Sequence, residues 1–360
     1  MSEDPTTHGS TVLEQTDDPP PRPGVMDDLR DAVTPRTVGL VLGVLLLQLG
    51  FILSYVGAFH APTPHDVPVA VVAPAQQRAA IVERLNGIDG SPLKATAASS
   101  EQEARAQVER GDRSAAFIVD PSSTRDRLLV ASGGGSAVVT AVEQVLTRVD
   151  ASQQRTLTTT DVVPLEDNDA RGLTGFYLVV GWIVGGYLVA SLLGVAKGSR
   201  PATLRRAAIR LGATVPYAVL SGLGGTLIVD QVLGALTGHF WPMWGLGILL
   251  VLAAATVTIA FQTMFGVLGI GATVLLFVVL GNPSAGGPYP SPLLPAFWRA
   301  IGPWIPNGAG TDAIRRIVYF DGHDVTSNLV VICAYALVGA VVALAAAHLK
   351  SRPRNEADSV

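Results

Sequence analysis

Long uncharged hydrophobic runs dominate the chain, and their lengths decide the first interpretation. A helix that crosses the hydrocarbon core of a membrane needs about 20 mostly apolar residues. The run between residues 244 and 281 carries no charge and is too long for one crossing, so we divide it near "FQTMFG", Phe261 to Gly266. With this division six stretches meet the requirement, at residues 38–59, 172–196, about 211–232, 328–349 and two within 244–281. The pattern predicts six transmembrane helices.

The first run and the segments before it have separate interpretations. A cleaved signal peptide has a shorter apolar core and ends at a small-residue cleavage site. Residues 38–59 follow a long leader and end in "GAFHAP", so we interpret them as an uncleaved signal anchor. Residues 1–24 are acidic and proline-rich, which predicts a disordered tail. Residues 25–37 predict an amphipathic interfacial segment, with a solvated linker as the alternative.

Between the first two runs, residues 60–171 change to the pattern of a small α/β domain. Five segments rich in β-branched or alternating apolar residues predict strands: "DVPVAVVAP", "LKATAAS", "SAAFIVDP", "DRLLVASG" and "TLTTTDVVPL". Three segments with helical periodicity predict helices: "AQQRAAIVERLNGI", "EQEARAQVERGD" and residues 136–152. The glycine run "SGGGS" at residues 132–136 lacks the Lys-Ser/Thr of a phosphate-binding loop and indicates a strand-to-helix turn.

The positions of lysine and arginine orient the predicted helices. Basic residues concentrate on the cytoplasmic side of membrane proteins. They occur before the first run, between the second and third, and after the last, although Arg299, Arg315 and Arg316 lie elsewhere and weaken the bias. We therefore expect both termini, including the tail 350–360, in the cytoplasm of a bacterial plasma membrane. The predicted fold class is a membrane all-α bundle of six transmembrane helices with an inserted extracytoplasmic α/β domain, followed by a five-helix membrane domain at residues 172–349.

Composition supports a membrane protein and narrows the chemistry. Charged residues make up 15% of the chain, against about 25% in soluble domains. The net charge of −4 is small and spread along the chain, and no cluster of basic residues predicts a nucleic-acid partner. The histidines are scattered, Cys333 is the single cysteine, and no nucleophile motif occurs, so we predict no catalytic, cofactor-binding or metal-binding residues. Asp230 is expected at the outer end of the third span, solvated at headgroup level rather than relaying protons.

The segment after the fifth run is unusually rich in glycine, proline and tryptophan. Non-helical backbone at membrane depth must be buried in protein or meet water. We therefore predict that the fifth span stops near the outer surface, at an outer gate or re-entrant segment formed by Gly281, Asn282, Pro283, Gly286 and Gly287. Residues 282–325 would continue as a re-entrant or interfacial segment, with a short helix starting at Thr311 as N-cap. An ordinary extracellular loop is the alternative. Six apolar side chains suit the outer interface: Leu293, Leu294, Phe297, Trp298, Ile301 and Trp304.

The order of these parts, together with three motifs, resembles a known family. "VPVAVVAP", the charged helix followed by "SAAFIVDP", and "GGPYPSPLLPAFWRAIGPWIPNGAGTDAIRR" are similar to segments of type-2 ABC exporter permeases, most closely the YhgE/Pip (phage infection protein) branch. The resemblance covers residues 25 to 350. It implies a permease subunit that works as a homodimer or heterodimer in membrane lipid and moves an unknown hydrophobic or amphipathic substrate. The alternatives are an envelope receptor or scaffold that presents the outer domain, and, with least support, a membrane enzyme.

An exporter also needs an energy source, and the chain has no Walker A motif, so ATP hydrolysis would belong to a separate ATP-binding subunit. Arg205 and Arg206 are the candidate ATPase-docking residues, on a short helix that Pro201 would start. Positive-inside anchoring is the alternative role of these two arginines. A second inner segment is the tight turn expected at Gln262 and Thr263. Glycines in spans two and three would mediate either self-association or packing within the chain: Gly181, Gly185, Gly186, Gly222, Gly224 and Gly225.

Overall fold

A computed structural model describes residues 34–197 and 203–351 of the chain. The predicted tail 1–24, most of the segment 25–37 and nearly all of the tail 350–360 lie outside the described residues, as does Pro201. The chain divides into two compact units, residues 1–46 and 47–360. The described part of the first unit contains the beginning of helix α1 (Pro35–Phe59), and everything that follows in the chain belongs to the second.

The region of residues 60–171, which we call the α/β domain, contains the five strands and three helices that the sequence pattern predicts. In chain order they are β1 (Val67–Val72), α2 (Ala75–Asn86), β2 (Leu93–Ala97), α3 (Glu101–Glu109), β3 (Ala115–Ile118), β4 (Arg125–Val130), α4 (Ser136–Ala151) and β5 (Thr156–Asp161). The strands form one sheet in the order β2-β1-β3-β4-β5. Only the β3–β4 pair is antiparallel.

Helices cover both faces of this sheet, and the apolar pattern of β1 explains why. Successive side chains of a strand point to opposite faces. Val69 and Val71 pack in one cluster with residues of α2 and α4, whereas Ala70 packs in another with residues of α3. Because both faces are covered, β1 is apolar at almost every position instead of alternating with polar residues.

Most of the other described residues are helical. In chain order the helices are α5 (Thr174–Lys197), α6 (Leu204–Val232), α7 (Phe240–Phe265), α8 (Leu268–Ser284), α9 (Ala296–Ile301), α10 (Pro306–Tyr319) and α11 (Thr326–Ser351). Among the described residues, five helices are long and apolar enough to cross a membrane: α1, α5, α6, α7 and α11. Helix α8 is apolar but shorter. The prediction of a helical membrane protein is confirmed for these five helices.

The long uncharged run is divided at Gly266, as predicted, but the turn begins after the two residues that we expected to form it. Helix α7 ends at Phe265, and Gly266 adopts a φ of +67°, which a glycine tolerates without strain. Gln262 and Thr263 were expected in the turn but are inside α7, each only 1% exposed. The prediction is wrong for these two residues because Thr263 bonds the Ile259 carbonyl within its own helix and Gln262 packs against Gly194.

Helix α7 is the centre of the bundle, and glycines let its neighbours approach it. A Cβ added at Gly186 of α5 would lie 2.6 Å from the Val251 carbonyl oxygen of α7. One added at Gly222 of α6 would lie 3.0 Å from the Ile248 backbone nitrogen of α7, and one added at Gly225 of α6 would lie 2.5 Å from Nε1 of Trp182 on α5. The close approach expected of the small residues therefore occurs within the chain, which favours that alternative over self-association at these positions. A Cβ added at Gly181 or at Gly224 would have no described atom from outside its own helix within 4 Å.

Asp230 is buried, contrary to the expectation that it would be solvated. Its residue is 8% exposed, and its carboxylate accepts a hydrogen bond from Nε2 of Gln231 at 3.1 Å. The cause is a return of the chain at the end of α6, where the backbone N–H groups of Ala235 and Leu236 both donate to the Val229 carbonyl. Leu236 is 1% exposed in this return, which keeps that end of α6 inside the protein.

Candidate functional site

The first part of the candidate site is the end of helix α8, where the sequence predicted the outer gate. Between Leu275 and Gly281 the helix widens to π-helical hydrogen bonding, which can leave carbonyl groups available to other partners. Asn307, at the start of α10, bonds one of these carbonyl groups. Its Nδ2 donates to the Phe277 carbonyl at 2.9 Å and to Oδ1 of Asn282 at 2.7 Å. Asn307 thereby connects the end of α8 to the beginning of α10.

This junction is tightly packed and leaves one polar atom unsatisfied. Asn307 is fully buried, and within the described residues its Oδ1 has no hydrogen-bond partner. A Cβ added at Gly281 would lie 2.4 Å from that oxygen, so only glycine fits there. Pro283 and Ser284 are also buried, which satisfies the requirement that irregular backbone in a membrane protein be enclosed. Buried polar atoms without a hydrogen-bond partner are rare in folded proteins, which makes this junction a candidate functional segment.

The chain turns at Gly286, within the segment where the sequence predicted a reversal, and an arginine contacts this turn. Gly286 adopts a φ of +72°. Nη2 of Arg315, on α10, donates to the Gly287 carbonyl at 3.0 Å. Burial lowers the pKa of Arg315, and the nearby charges of Asp312 and Asp169 oppose this effect. The turn therefore provides a backbone acceptor for a cation that is only partly exposed to solvent.

The segment after this turn packs against protein more than the sequence indicated. Leu293 belongs to the core of the α/β domain, and Leu294 and Trp298 pack in a cluster with Ala58 of α1. The expectation that these three side chains would lie in the membrane interface is wrong, because each fills a buried position between elements. Phe297 and Trp304 remain 56% and 71% exposed.

Helix α10 also begins earlier than predicted. The sequence placed its N-cap at Thr311, but the helix starts at Pro306, and a proline is favoured in the first turn because it needs no backbone donor there. Thr311 is instead fully buried within the helix and donates its hydroxyl to the Asn307 carbonyl at 2.8 Å. Because α10 starts at Pro306, Asn307 lies in its first turn and contacts α8.

The end of α10 joins the membrane helices to the α/β domain. The Tyr319 hydroxyl donates to Oδ2 of Asp169 at 2.8 Å, while Oδ1 of Asp169 accepts from the backbone N–H of Thr174 at the start of α5. Burial and the bond to Asp169 raise the pKa of Tyr319. A Cβ added at Gly133 would lie 2.6 Å from the Tyr319 ring. The "SGGGS" turn is thus a contact surface for α10, a role that its sequence alone did not reveal.

The candidate docking residues Arg205 and Arg206 are both exposed. They do not lie on a separate short helix within the described residues. They occupy the first turn of α6, where the Thr203 hydroxyl caps the Arg206 N–H at 3.3 Å. The prediction of a separate short helix is wrong here because α6 continues through "RRAAIR" without a break. Positive charge at a helix N-terminus opposes the helix dipole, so the arginines do not serve helix stability.

Two further basic residues lie near these ends of the membrane helices. Arg210, one turn further along α6, is 8% exposed. Nζ of Lys350, at the end of α11, donates to the carbonyl groups of Thr263 and Met264 in the last turn of α7. Cations are favourable at helix C-termini, where carbonyl groups lack partners within the helix. Arg205 and Arg206 are therefore the exposed pair on α6, while Arg210 and Lys350 contribute to packing.

The order of the helices and the α/β domain along the chain agrees with one protein family. Residues 37–345 match the family model of the ABC-2 family transporter proteins, a span that runs from α1 into α11 and includes the whole α/β domain. The chain therefore belongs to the ABC-2 transporter family. Proteins of this family are membrane transport components that are not themselves catalytic and typically work with an ATP-binding subunit. No curated protein and no solved structure matches the chain.

Proposed function

We propose that this chain is the permease subunit of an ABC-type exporter of the YhgE/Pip-like branch. It moves a hydrophobic or amphipathic substrate across a bacterial plasma membrane, as half of a homodimer or heterodimer, and a separate subunit hydrolyses the ATP. The observation that carries the proposal is the family match over residues 37–345, because it includes both the apolar helices and the α/β domain.

The proposed topology has six crossings, with both termini in the cytoplasm and the α/β domain outside. Helix α8, Leu268–Ser284, is the sixth crossing. A length near 17 residues is the lower limit for a spanning helix. The buried junction with Asn307 supports this assignment because it encloses the π-helical end of α8. A reporter fused after Gly133 should report outside and one fused after Arg205 inside; the reverse at either position would refute the six-crossing topology.

The proposed partner contact is the exposed pair Arg205 and Arg206. Exposed guanidinium groups pair with carboxylates in bidentate geometry, and these two do not stabilise the helix that carries them. The double change Arg205→Ala and Arg206→Ala leaves Lys197 and Arg210 to preserve the membrane orientation. Arg105→Ala combined with Arg110→Ala, in the α/β domain, is a control for loss of two exposed positive charges.

Purification in mild detergent tests both proposals. We expect the unmodified protein and the α/β-domain control to retain an ATP-binding subunit, and the Arg205/Arg206 variant to insert correctly but lose it. If the unmodified protein retains no ATP-binding subunit, the proposed function is contradicted. If the Arg205/Arg206 variant inserts and retains the subunit, the docking site is wrong and the arginines act as positive-inside anchors.

A further inference from the structure

A cavity of about 320 Å³ lies between the α/β domain and the segment that follows α8. The domain contributes Gly111, Arg113 and Gly134 to its wall, and the other side includes Gly286, Asp312 and Arg315. Small-molecule sites usually measure about 300 to 1,000 Å³. The cavity is therefore large enough for a small ligand group, and it borders the turn that the sequence singled out as an outer gate.

The cavity wall carries an excess of positive charge. Its charged side chains are Arg113, Arg315, Arg316 and Asp312. Nε of Arg316 already pairs with the Asp312 carboxylate at 2.7 Å. Neither Arg113 nor Arg315 has a carboxylate within ion-pair distance anywhere in residues 34–197 and 203–351. Two guanidinium groups, one from the domain and one from α10, thus border the cavity without an anionic partner. Arg113 donates two hydrogen bonds to neutral acceptors, from Nε to the Thr96 hydroxyl and from Nη1 to the Asp112 carbonyl.

Arg315 has most of its hydrogen-bonding capacity left. A guanidinium group offers five N–H donors. Across the described parts of the chain, its hydrogen bonding consists of the single bond from Nη2 to the Gly287 carbonyl. Arg315 is only partly exposed, and a partly buried charge without an anionic partner is costly, so an anion in the cavity would offset that cost. The lowered pKa of Arg315 agrees with this, since an adjacent bound anion would raise it again.

We propose that this cavity binds a phosphoryl group, held by the guanidinium groups of Arg315 and Arg113. Arginine is the preferred partner for phosphoryl oxygens because its planar fork matches their geometry in a bidentate contact. A phosphoryl dianion carries two negative charges and therefore balances the two arginines, whereas a carboxylate would balance only one of them. The group can belong to a lipid headgroup or to a soluble phosphate, and the site goes beyond the proposed function because it does not require that the bound molecule be transported.

Calorimetric titration of the full-length protein in neutral detergent tests the site, with dihexanoyl phosphatidic acid, inorganic phosphate and dihexanoyl glycerol as probes. We expect a phosphoryl-bearing probe to bind at least about tenfold more tightly than dihexanoyl glycerol. Tighter binding of phosphatidic acid than of inorganic phosphate identifies a lipid headgroup as the source. Equal binding of the two identifies a soluble phosphate. If neither phosphoryl probe binds, the proposal is overturned.

Variants locate the binding to the cavity. Arg315→Gln should weaken phosphoryl binding at least about tenfold, Arg315→Lys should weaken it less, and the exposed control Arg105→Gln should not change it. Arg113→Gln, on the domain side, provides a second measurement if Arg315→Gln does not fold. Unchanged affinity in the folded Arg315 and Arg113 variants would overturn the proposal. Since no nucleotide or partner is present, either result leaves the proposed exporter function unaffected.

Discussion

The hydroxyl of Tyr319 donates a hydrogen bond to the carboxylate of Asp169 at 2.8 Å and so connects the end of helix α10 to the linker between the α/β domain and helix α5. Asp169 is 3% exposed, and its other oxygen accepts from the backbone and hydroxyl of Thr174. One carboxylate therefore ties together the domain linker, the first turn of α5 and the last turn of α10. Movement of α10 relative to the domain has to change this contact.

Removing the Tyr319 hydroxyl should destabilise the protein. In Tyr319→Phe the ring remains against Gly133, but the buried Asp169 carboxylate loses one of its donors. We expect a loss of about 1 to 3 kcal/mol, the cost of leaving a buried acceptor without its partner. Thermal unfolding in detergent measures it, with Tyr177→Phe as the control because Tyr177 is 62% exposed. Equal unfolding temperatures for the two variants would show that the Tyr319–Asp169 bond contributes nothing.

Asp150 predicts a pH dependence of the α/β domain. It extends the buried stripe of α4 that includes Val142 and Leu146, and neither of its carboxyl oxygens has a hydrogen-bond partner in the described structure. Burial, assisted by the negative charge of Asp126, raises its pKa from 3.8 to about 6. The folded state thus holds a proton that the unfolded state has already lost between about pH 4 and pH 6.

Because folding raises the pKa of Asp150, the stability that this residue contributes decreases as the pH rises. The contribution of Asp150 to stability is full below pH 4, falls as the pH rises from about 4 to 6, and is absent above that range. The total fall is about 3 kcal/mol, from about 1.4 kcal/mol per pKa unit. Asp150→Asn should flatten this part of the thermal-unfolding profile, whereas Asp167→Asn, at an exposed position, should retain the slope of the unmodified protein. A slope that persists in Asp150→Asn would assign the pH dependence to another group.

The junction between α8 and α10 predicts a coupled pair of substitutions. Gly281→Ala adds a methyl group that would lie 2.4 Å from Oδ1 of Asn307, so we expect it to destabilise the protein by about 1 to 3 kcal/mol. Asn307→Ala removes the obstructing side chain. The double variant should therefore lose less stability than the sum of the two single variants, by at least about 0.5 kcal/mol.

Gly245→Ala is the matched control for this cycle, since a Cβ there contacts nothing within 4 Å among the described residues. It should not couple to Asn307→Ala. Strict additivity of Gly281→Ala and Asn307→Ala would contradict the close contact between the two residues.

The elements of the α/β domain could be predicted from the sequence because their patterns are local. The apolar run of β1 and the i, i+4 spacing of Val138, Val142 and Leu146 in α4 each determine an element without reference to distant residues. The first two membrane helices were equally clear from their length and hydrophobicity. The start of α6 was not, because the charges of "RRAAIR" indicated a short helix separate from the span, whereas these residues form the first part of α6 itself.

The candidate site depends on pairs of residues that are far apart in the chain, which local patterns cannot reveal. The glycines and prolines of residues 281–287 indicated a break, but nothing near them indicated Asn307 or Arg315 as their partners. The burial of Asp230 was missed for the same reason, since it results from a return of the chain after α6. The "SGGGS" turn did contain a signal, because consecutive glycines allow close approach, but its partner Tyr319 was not predictable.

The most direct test of the central claim measures ATP hydrolysis by the complex purified through this chain and placed in lipid nanodiscs. Under the proposed function, ATP hydrolysis belongs to the partner subunit and not to this chain. We predict that the preparation hydrolyses ATP, that replacing the P-loop lysine of the partner abolishes this activity, and that the chain purified from cells lacking the partner has none. A preparation that contains no ATP-binding subunit and hydrolyses no ATP would contradict the assignment of this protein as an exporter permease.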